Sequence, residues 1–352
     1  MSYFCAVKIH EKYIMRCIQL AKNGLGTTYP NPLVGCVIVH NTKIIGEGWH
    51  KKAGEPHAEV NAIHSVKDKS LLKNATIYVS LEPCSHFGKT PPCCDLIIHH
   101  NIPNVVIGTM DPNSQVAGTG IKRLIDHGAK VTVGILEKDC NELNKRFFTY
   151  HTKKRPYILL KWAESLDGYI APISKDKQEP VWISNTYSRQ FVHKWRSEEH
   201  AILVGTTTVL DDNPKLDVRD WHGQNPIRII LDRTGKINRD FHVKDEKIKT
   251  IIITEQENLT STNHLIFESV IFDNQLSQKI VAILYKYNIQ SVLIEGGQKT
   301  LQTFIDACLW DEARVFVGDI FLNEGIKAPV LKEMSTTKKI KENQLKLYIS
   351  HD

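Results

Sequence analysis

The sequence predicts two consecutive α/β domains. Apolar runs of strand length alternate with stretches of helical period, and this alternation restarts after a polar, charged segment near the middle of the chain. A length of 352 residues suffices for two cores of ordinary size. A hydrophobic fraction of 41% with 24% charged residues describes a globular chain, not a disordered one. No run of 18 apolar residues occurs, and residues 1–8 lack the long apolar stretch of an export signal. The expectation is a cytoplasmic protein without a membrane span.

Ile14, Cys17, Ile18 and Ala21 fall at helical spacing within 11–22, and Gly24 and Gly26 end that helix. Tyr29-Pro30-Asn31-Pro32 makes a rigid turn into a buried strand at 34–39, and Asn41-Thr42 connects it to a second strand at 44–49. A helix then carries His57 and Glu59. A strand covers 75–80, Cys84 lies just past its C-terminal end, and Cys93 opens the next helix. In an open α/β sheet this is the end where ligands gather. A strand at 104–109, a glycine-rich loop at 110–120, a helix at 121–126 and a strand at 130–134 complete the first domain.

Residues 137–156 are polar and charged, and the boundary is placed there, giving domains 1–150 and 151–352. The second half begins with a strand at 157–162 and the turn Ser165-Leu166-Asp167-Gly168. Further strands are expected at 201–205, 227–231, 250–254, 291–294 and 314–317, with helices at 186–195 and 279–287. Glu295-Gly296-Gly297 joins a strand to a helix-like run at 299–307, where glycines let backbone N–H groups approach a phosphate. A tight strand-to-helix turn needs glycine just as much. Gly88-Lys89-Thr90 is not the end of a P-loop, because Pro83 stands where that motif requires glycine.

The chemistry concentrates in Pro56-His57-Ala58-Glu59 and in residues 82–93. His57, Cys84 and Cys93 offer one imidazole and two thiols, three ligands for a tetrahedral zinc with the fourth position left open, as in a catalytic site. Any one of them alone reads more plainly as a packed core residue. The combination does not. His57 and Cys93 both precede apolar helical runs, so exposed N–H groups would favour a thiolate between them. Glu59, two residues after the histidine, is placed to shuttle a proton, as in zinc-dependent deaminases.

The net charge of +6 is spread among acidic residues, and the short clusters Lys153-Lys154-Arg155 and Lys338-Lys339 read as solvated surface. Eight cysteines, two of them adjacent at Cys93-Cys94, do not make a disulfide framework.

On these residues the chain resembles, nearly end to end, the bifunctional riboflavin-biosynthesis deaminase/reductase family. The resemblance is carried by Tyr29-Pro30-Asn31-Pro32-Leu33-Val34-Gly35, Gly54-Glu55-Pro56-His57-Ala58-Glu59-Val60, residues 81–94, and Asp111-Pro112-Asn113 through Val116-Ala117-Gly118. The eight-residue spacer between Cys84 and Cys93 separates it from tRNA and cytidine deaminases, which typically leave two. The resemblance implies a cytidine-deaminase-like three-layer α/β/α domain followed by a dihydrofolate-reductase-like α/β domain. It implies zinc-dependent deamination of 2,5-diamino-6-(5-phosphoribosylamino)pyrimidin-4(3H)-one, then NADPH-dependent reduction of the ribosyl group to ribityl.

By position, the resemblance makes Asn31, His50, Lys89, Asp111 and Asn113 contacts of the deaminase substrate. It makes Ala163, Trp182, Thr208, Asp212, Gly296 and Gly297 contacts of NADPH, and Arg196, Leu216, Arg219 and Glu295 contacts of the reductase substrate. His50 and Lys89 fit surface positions equally well, and Asn31 fits a simple turn. Pro180, where relatives often carry serine, and the acidic Glu164 depart from the family pattern. A deaminase with an inactive reductase-like domain is therefore an alternative, and a nucleic-acid deaminase is another. The expected partner is a small phosphoribosyl pyrimidine, neither nucleic acid nor membrane; a monomer and a homo-oligomer both fit.

Overall fold

The computed structural model describes residues 3–87, 91–112, 117–175 and 177–350; Lys89 and Asn113 lie outside them. The chain divides into two units, Met1–Lys154 and Arg155–Asp352.

In the first unit the elements are α1 (Tyr3–Ala21), β1 (Gly35–His40), β2 (Lys43–Trp49), α2 (Ala58–Ser65), β3 (Thr76–Leu81), α3 (Cys93–His99), β4 (Asn104–Thr109), α4 (Thr119–Asp126) and β5 (Lys130–Val133). The sheet order is β2-β1-β3-β4-β5. β1 runs antiparallel to β2 and β3, while β3, β4 and β5 are parallel. Strand alternation divides the core between the two faces. Ile38, Ile77, Val79, Val105 and Ile107 pack with α2, α3 and α4 residues such as Ile63, Ile97 and Leu124. Val37, Val39, Tyr78 and Val106 pack with Ile14, Cys17 and Ile18 of α1. The result is the expected three-layer α/β/α arrangement.

Residues 137–156, expected as a polar boundary segment, fold instead into α5 (Glu137–Leu143) and α6 (Lys145–Lys153). Cys140, Asn144, Phe147 and Tyr150 are buried there at intervals of four, three and three, which is one face of a helix. Because α6 runs through residue 150, the division between units falls after Lys154.

Glycine permits one close approach that sets the position of α2. A Cβ on Gly48 of β2 would lie 2.4 Å from the Ala62 nitrogen and 2.7 Å from the Ala58 oxygen of α2. Only a glycine lets this helix sit so near the sheet.

The second unit contains β6 (Tyr157–Glu164), β7 (Tyr169–Ala171), α7 (Thr186–Glu198), β8 (Ala201–Gly205), α8 (Thr206–Asp212), β9 (Ile227–Leu231), β10 (Thr250–Thr254) and β11 (Leu265–Ser269). It continues with α9 (Leu276–Lys286), β12 (Ser291–Ile294), α10 (Gln298–Asp306), β13 (Glu312–Val317), β14 (Ile326–Lys327), β15 (Thr336–Ile340) and β16 (Asn343–Ile349). A nine-stranded sheet has the order β11-β10-β9-β8-β12-β6-β13-β16-β15. Its strands are parallel from β11 to β13, and the β15–β16 hairpin extends it antiparallel.

Strands covered on both faces read as continuous apolar runs, as in Ile251, Ile252 and Ile253. One face packs α9 and α10 through Ile280, Leu284, Leu301 and Phe304. The other packs α7 and α8 through Val192, Trp195 and Val209. Among the described residues no helix is long and apolar enough to cross a membrane. Cys17, Cys36, Cys84, Cys93, Cys94, Cys140 and Cys308 are free thiols.

Candidate active sites

In the first unit, chain direction gathers the chemistry at one end of the sheet. His57 immediately precedes α2, Cys93 is the first residue of α3, and Cys84 lies three residues beyond β3. His57 Nδ1 stands 3.6 Å from Cys84 Sγ and 3.4 Å from Cys93 Sγ, and the Cys93 N–H donates to Cys84 Sγ at 3.3 Å. Hydrogen bonding from Cys93, aided by His57, draws the Cys84 thiol down to about 4 although burial opposes it. One imidazole nitrogen and two sulfurs lie within 4.8 Å of one another, and among the described residues this cluster contains no fourth His, Cys, Asp or Glu. That donor set fits zinc with a position left for substrate chemistry.

Glu59, in the first turn of α2, is 3% exposed. Burial pushes its carboxyl up to about 7, with the nearby Cys84 adding to the shift. A group balanced at that value gives and takes a proton readily near neutrality.

His50 is 2% exposed, so its alternative as a surface residue is wrong: the strand end of β2 carries it inward. Its ring lies 5.4 Å from that of His57. Since a carbonyl only accepts, His50 Nδ1 carries the proton and donates to Pro56 O at 3.2 Å. Nε2 then accepts from the Asn31 amide at 3.0 Å, which fixes how that amide is turned. Asp111 stands just past β4, and its backbone N–H donates to Glu82 Oε2 at 3.3 Å.

In the second unit, two adjoining cavities collect the residues singled out there. Ala163, Trp182, Thr208, Asp212, Gly296 and Gly297 all line a cavity of about 220 Å³. Arg196, Leu216, Arg219 and Glu295 line one of about 440 Å³. Lys161, Pro180, Trp182, Thr208, Asp212 and Glu295 belong to both walls.

Arg196 grips Glu295 through Nε and Nη2 at 2.8 and 2.9 Å, and Lys161 approaches the same carboxylate at 3.4 Å. Burial disfavours the Glu295 charge, but Arg196 and Lys161 overcome it and hold the carboxyl at about 2. Arg219 is half-exposed beside Asp217, at 2.9 Å. Asp212 is paired with Lys175, and the Arg189 guanidinium lies 4.3 Å over the Trp182 ring.

Comparison with known proteins matches these two sites to two families. Residues 7–109 match the cytidine and deoxycytidylate deaminase zinc-binding region, and residues 156–348 match the RibD C-terminal domain. The riboflavin biosynthesis protein RibD of Aquifex aeolicus is 39% identical over 97% of this chain and 95% of its own. The Escherichia coli protein of the same name is 35% identical over 96% of each. The chain belongs to the RibD family.

A crystal structure from Thermotoga maritima, described as a diaminohydroxyphosphoribosylaminopyrimidine deaminase/5-amino-6-(5-phosphoribosylamino)uracil reductase, is 38% identical. It covers 98% of this chain and 99% of its own with a TM-score of 0.87. As a RibD-family chain, this one unites a zinc-dependent deaminase with an NAD(P)H-dependent pyrimidine reductase of the riboflavin pathway.

Its two departures from the family pattern differ in consequence. Glu164 accepts from Trp162 Nε1 at 2.9 Å and from Lys346 at 3.3 Å, so its charge is absorbed by neighbouring side chains. Pro180 lies in the wall shared by both cavities, where it removes an N–H donor. Sequence reasoning assigns no role to Glu82, which is 4% exposed and accepts four backbone N–H groups.

Proposed function

We propose that the first unit deaminates 2,5-diamino-6-(5-phosphoribosylamino)pyrimidin-4(3H)-one, and that the second reduces the product's ribosyl group to ribityl with NADPH. The observation that carries the first half is the His57–Cys84–Cys93 cluster beside a buried glutamate in the first turn of α2. When bound, zinc supplies the Lewis acidity that makes water nucleophilic near neutral pH. His57, Cys84 and Cys93 hold the metal. Glu59 takes a proton from the attacking water and passes it to the ring and then to the departing ammonia. Asn31, His50 and Asp111 contact the pyrimidine and its phosphoribosyl group; Lys89 and Asn113 complete that set in the family pattern.

In the second unit, NADPH supplies hydride when bound. The smaller cavity, with Ala163, Trp182, Thr208, Asp212, Gly296 and Gly297, suits the cofactor, and the larger one suits the phosphoribosyl pyrimidine. Arg219, half-exposed in the larger wall, offers its guanidinium fork to phosphate. Arg196, paired with Glu295, and Leu216 line the same cavity and are the remaining substrate contacts with that carboxylate. The enzyme acts in the cytoplasm on a free small molecule and not on a polynucleotide.

Supplying the diaminopyrimidinone phosphate and following ammonia release and NADPH oxidation separately tests both halves. Both signals are expected. Ammonia without oxidation would leave a deaminase with an inactive partner unit, and deamination of RNA instead would overturn the assignment.

A further inference from the structure

We infer that Glu82 is a positioning residue of the deaminase site, holding Asp111 in register with the metal ligands. It directly follows β3, two residues before Cys84, and is 4% exposed. Each carboxylate oxygen accepts two backbone N–H groups. Oε2 takes those of Asp111 at 3.3 Å and Gly118 at 3.0 Å; Oε1 takes those of Gly120 at 3.0 Å and Ile121 at 3.3 Å.

Oε2 therefore ties Asp111, just past β4, to Gly118, which flanks α4. Oε1 meets N–H groups in the first turn of α4, whose N-terminal flank Gly118 has no capping side chain. A carboxylate there neutralises orphan donors and is favoured by the helix dipole. The helix is brought close enough by Gly120, where a Cβ would lie 2.2 Å from the Pro83 oxygen. Two further ties join the same parts: Arg123 of α4 donates to Ser85 O at 3.2 Å, and Ser85 and Thr119 hydroxyls meet at 2.6 Å.

With four donors engaged, Glu82 has its acceptor sites filled and acts neither as a ligand nor as a base. Its part is to transmit the position of the Cys84 segment to Asp111. The inference rests on the proposed deaminase reading, in which Asp111 contacts substrate. Loss of a substrate contact made equally in the ground and transition states raises KM and leaves the proton transfers at Glu59 unchanged.

The test uses the full-length zinc enzyme with Glu82→Ala and Glu82→Gln. Glu82→Ala is expected to raise the deaminase KM by at least about tenfold with kcat little changed. Zinc stoichiometry and NADPH oxidation on the deaminated substrate stay as in the parent. Glu82→Gln, which keeps the shape and one acceptor oxygen, gives an intermediate KM. Hydrogen exchange is expected to quicken at Asp111, Gly118, Gly120 and Ile121 while the β3 and β4 amides keep their protection. Unchanged KM and exchange in both variants overturns the inference, and so does zinc loss in step with activity. If Glu82→Ala does not fold, Glu82→Gln decides alone. Should the parent enzyme release no ammonia, the deaminase reading fails, and amide exchange still tests the four-donor tie.

Discussion

Burial lifts the carboxyl of Glu59, to which the proposed deaminase mechanism gives the proton transfers, to about 7. Glu59→Gln keeps size and burial but cannot ionise. Zinc content should stay that of the parent while ammonia release falls by about 10²–10⁴-fold, the usual worth of a general acid–base; a variant of undiminished rate would remove Glu59 from the mechanism. Burial acts in the opposite direction on His200 in the second unit. Burial, with Lys249 nearby, pushes its imidazole down to about 4, and its neutral Nδ1 accepts the Gln290 N–H at 3.3 Å.

An unfolded chain would protonate that ring near 6.5, so the unfolded state binds the proton first. Stability is fully present above pH 6.5 and is lost as pH falls toward 4, by about 3 kcal/mol for a shift of this size. Urea unfolding of the second unit at pH 7 and pH 4.5 should show a smaller difference in His200→Gln than in the parent. An equal difference would mean another group governs that window. At this scale the metal ligands were legible in the sequence because thiols and imidazole at such spacing have few other uses. Glu82 was not, because its partners are backbone amides 29 to 39 residues away, which leave no mark in residue identity.

The elements that place these side chains depend on how closely helices approach the sheet. Gly48 lets α2 lie against β2, and α2 in turn positions His57 and Glu59. Gly48→Ala must drive backbone from backbone, since the new methyl would meet Ala62 N at 2.4 Å. The expected loss is about 1–3 kcal/mol of stability together with reduced zinc occupancy, measured by thermal melting and metal analysis. Retention of full zinc with unchanged melting would show that α2 can relax without moving its ligand.

Buried parallel strands such as β8 and β10 were legible as apolar runs. The α5 and α6 helices were obscured by their charged residues, although Cys140, Asn144, Phe147 and Tyr150 kept a helical interval. β11 and the β15–β16 hairpin were unread for a different reason. The side chains of β11 and β15 are exposed or half-exposed and give little burial pattern, so their strand character comes from pairing with a sheet already formed; β16 buries only Asn343 and Leu345.

At the scale of the whole molecule, two units each own a core and a site, so damage to one chemistry should spare the other. Glu59→Gln is expected to oxidise NADPH normally when supplied with the already deaminated pyrimidine. The large sheet of the second unit poses a separate problem, since an open sheet ends in unpaired backbone groups that recruit other strands. Its two margins are protected differently. Along β11, the N–H groups of Leu265 and Phe267 are taken by the hydroxyls of Thr262 and Ser261 at 2.9 and 3.0 Å, so that margin is already occupied by its own chain.

Along β15 the outermost strand presents Lys338 and Lys339 to solvent, the cluster that in sequence looked like ordinary surface. Bringing a second such strand alongside would stack like charges and bury ammonium groups. These lysines thus act as gatekeepers against runaway strand addition. Replacing both with valine should leave the active sites untouched yet produce turbidity that grows with protein concentration on warming, as read by light scattering. A clear solution from that variant would mean the hairpin's twist alone keeps the molecule from polymerising.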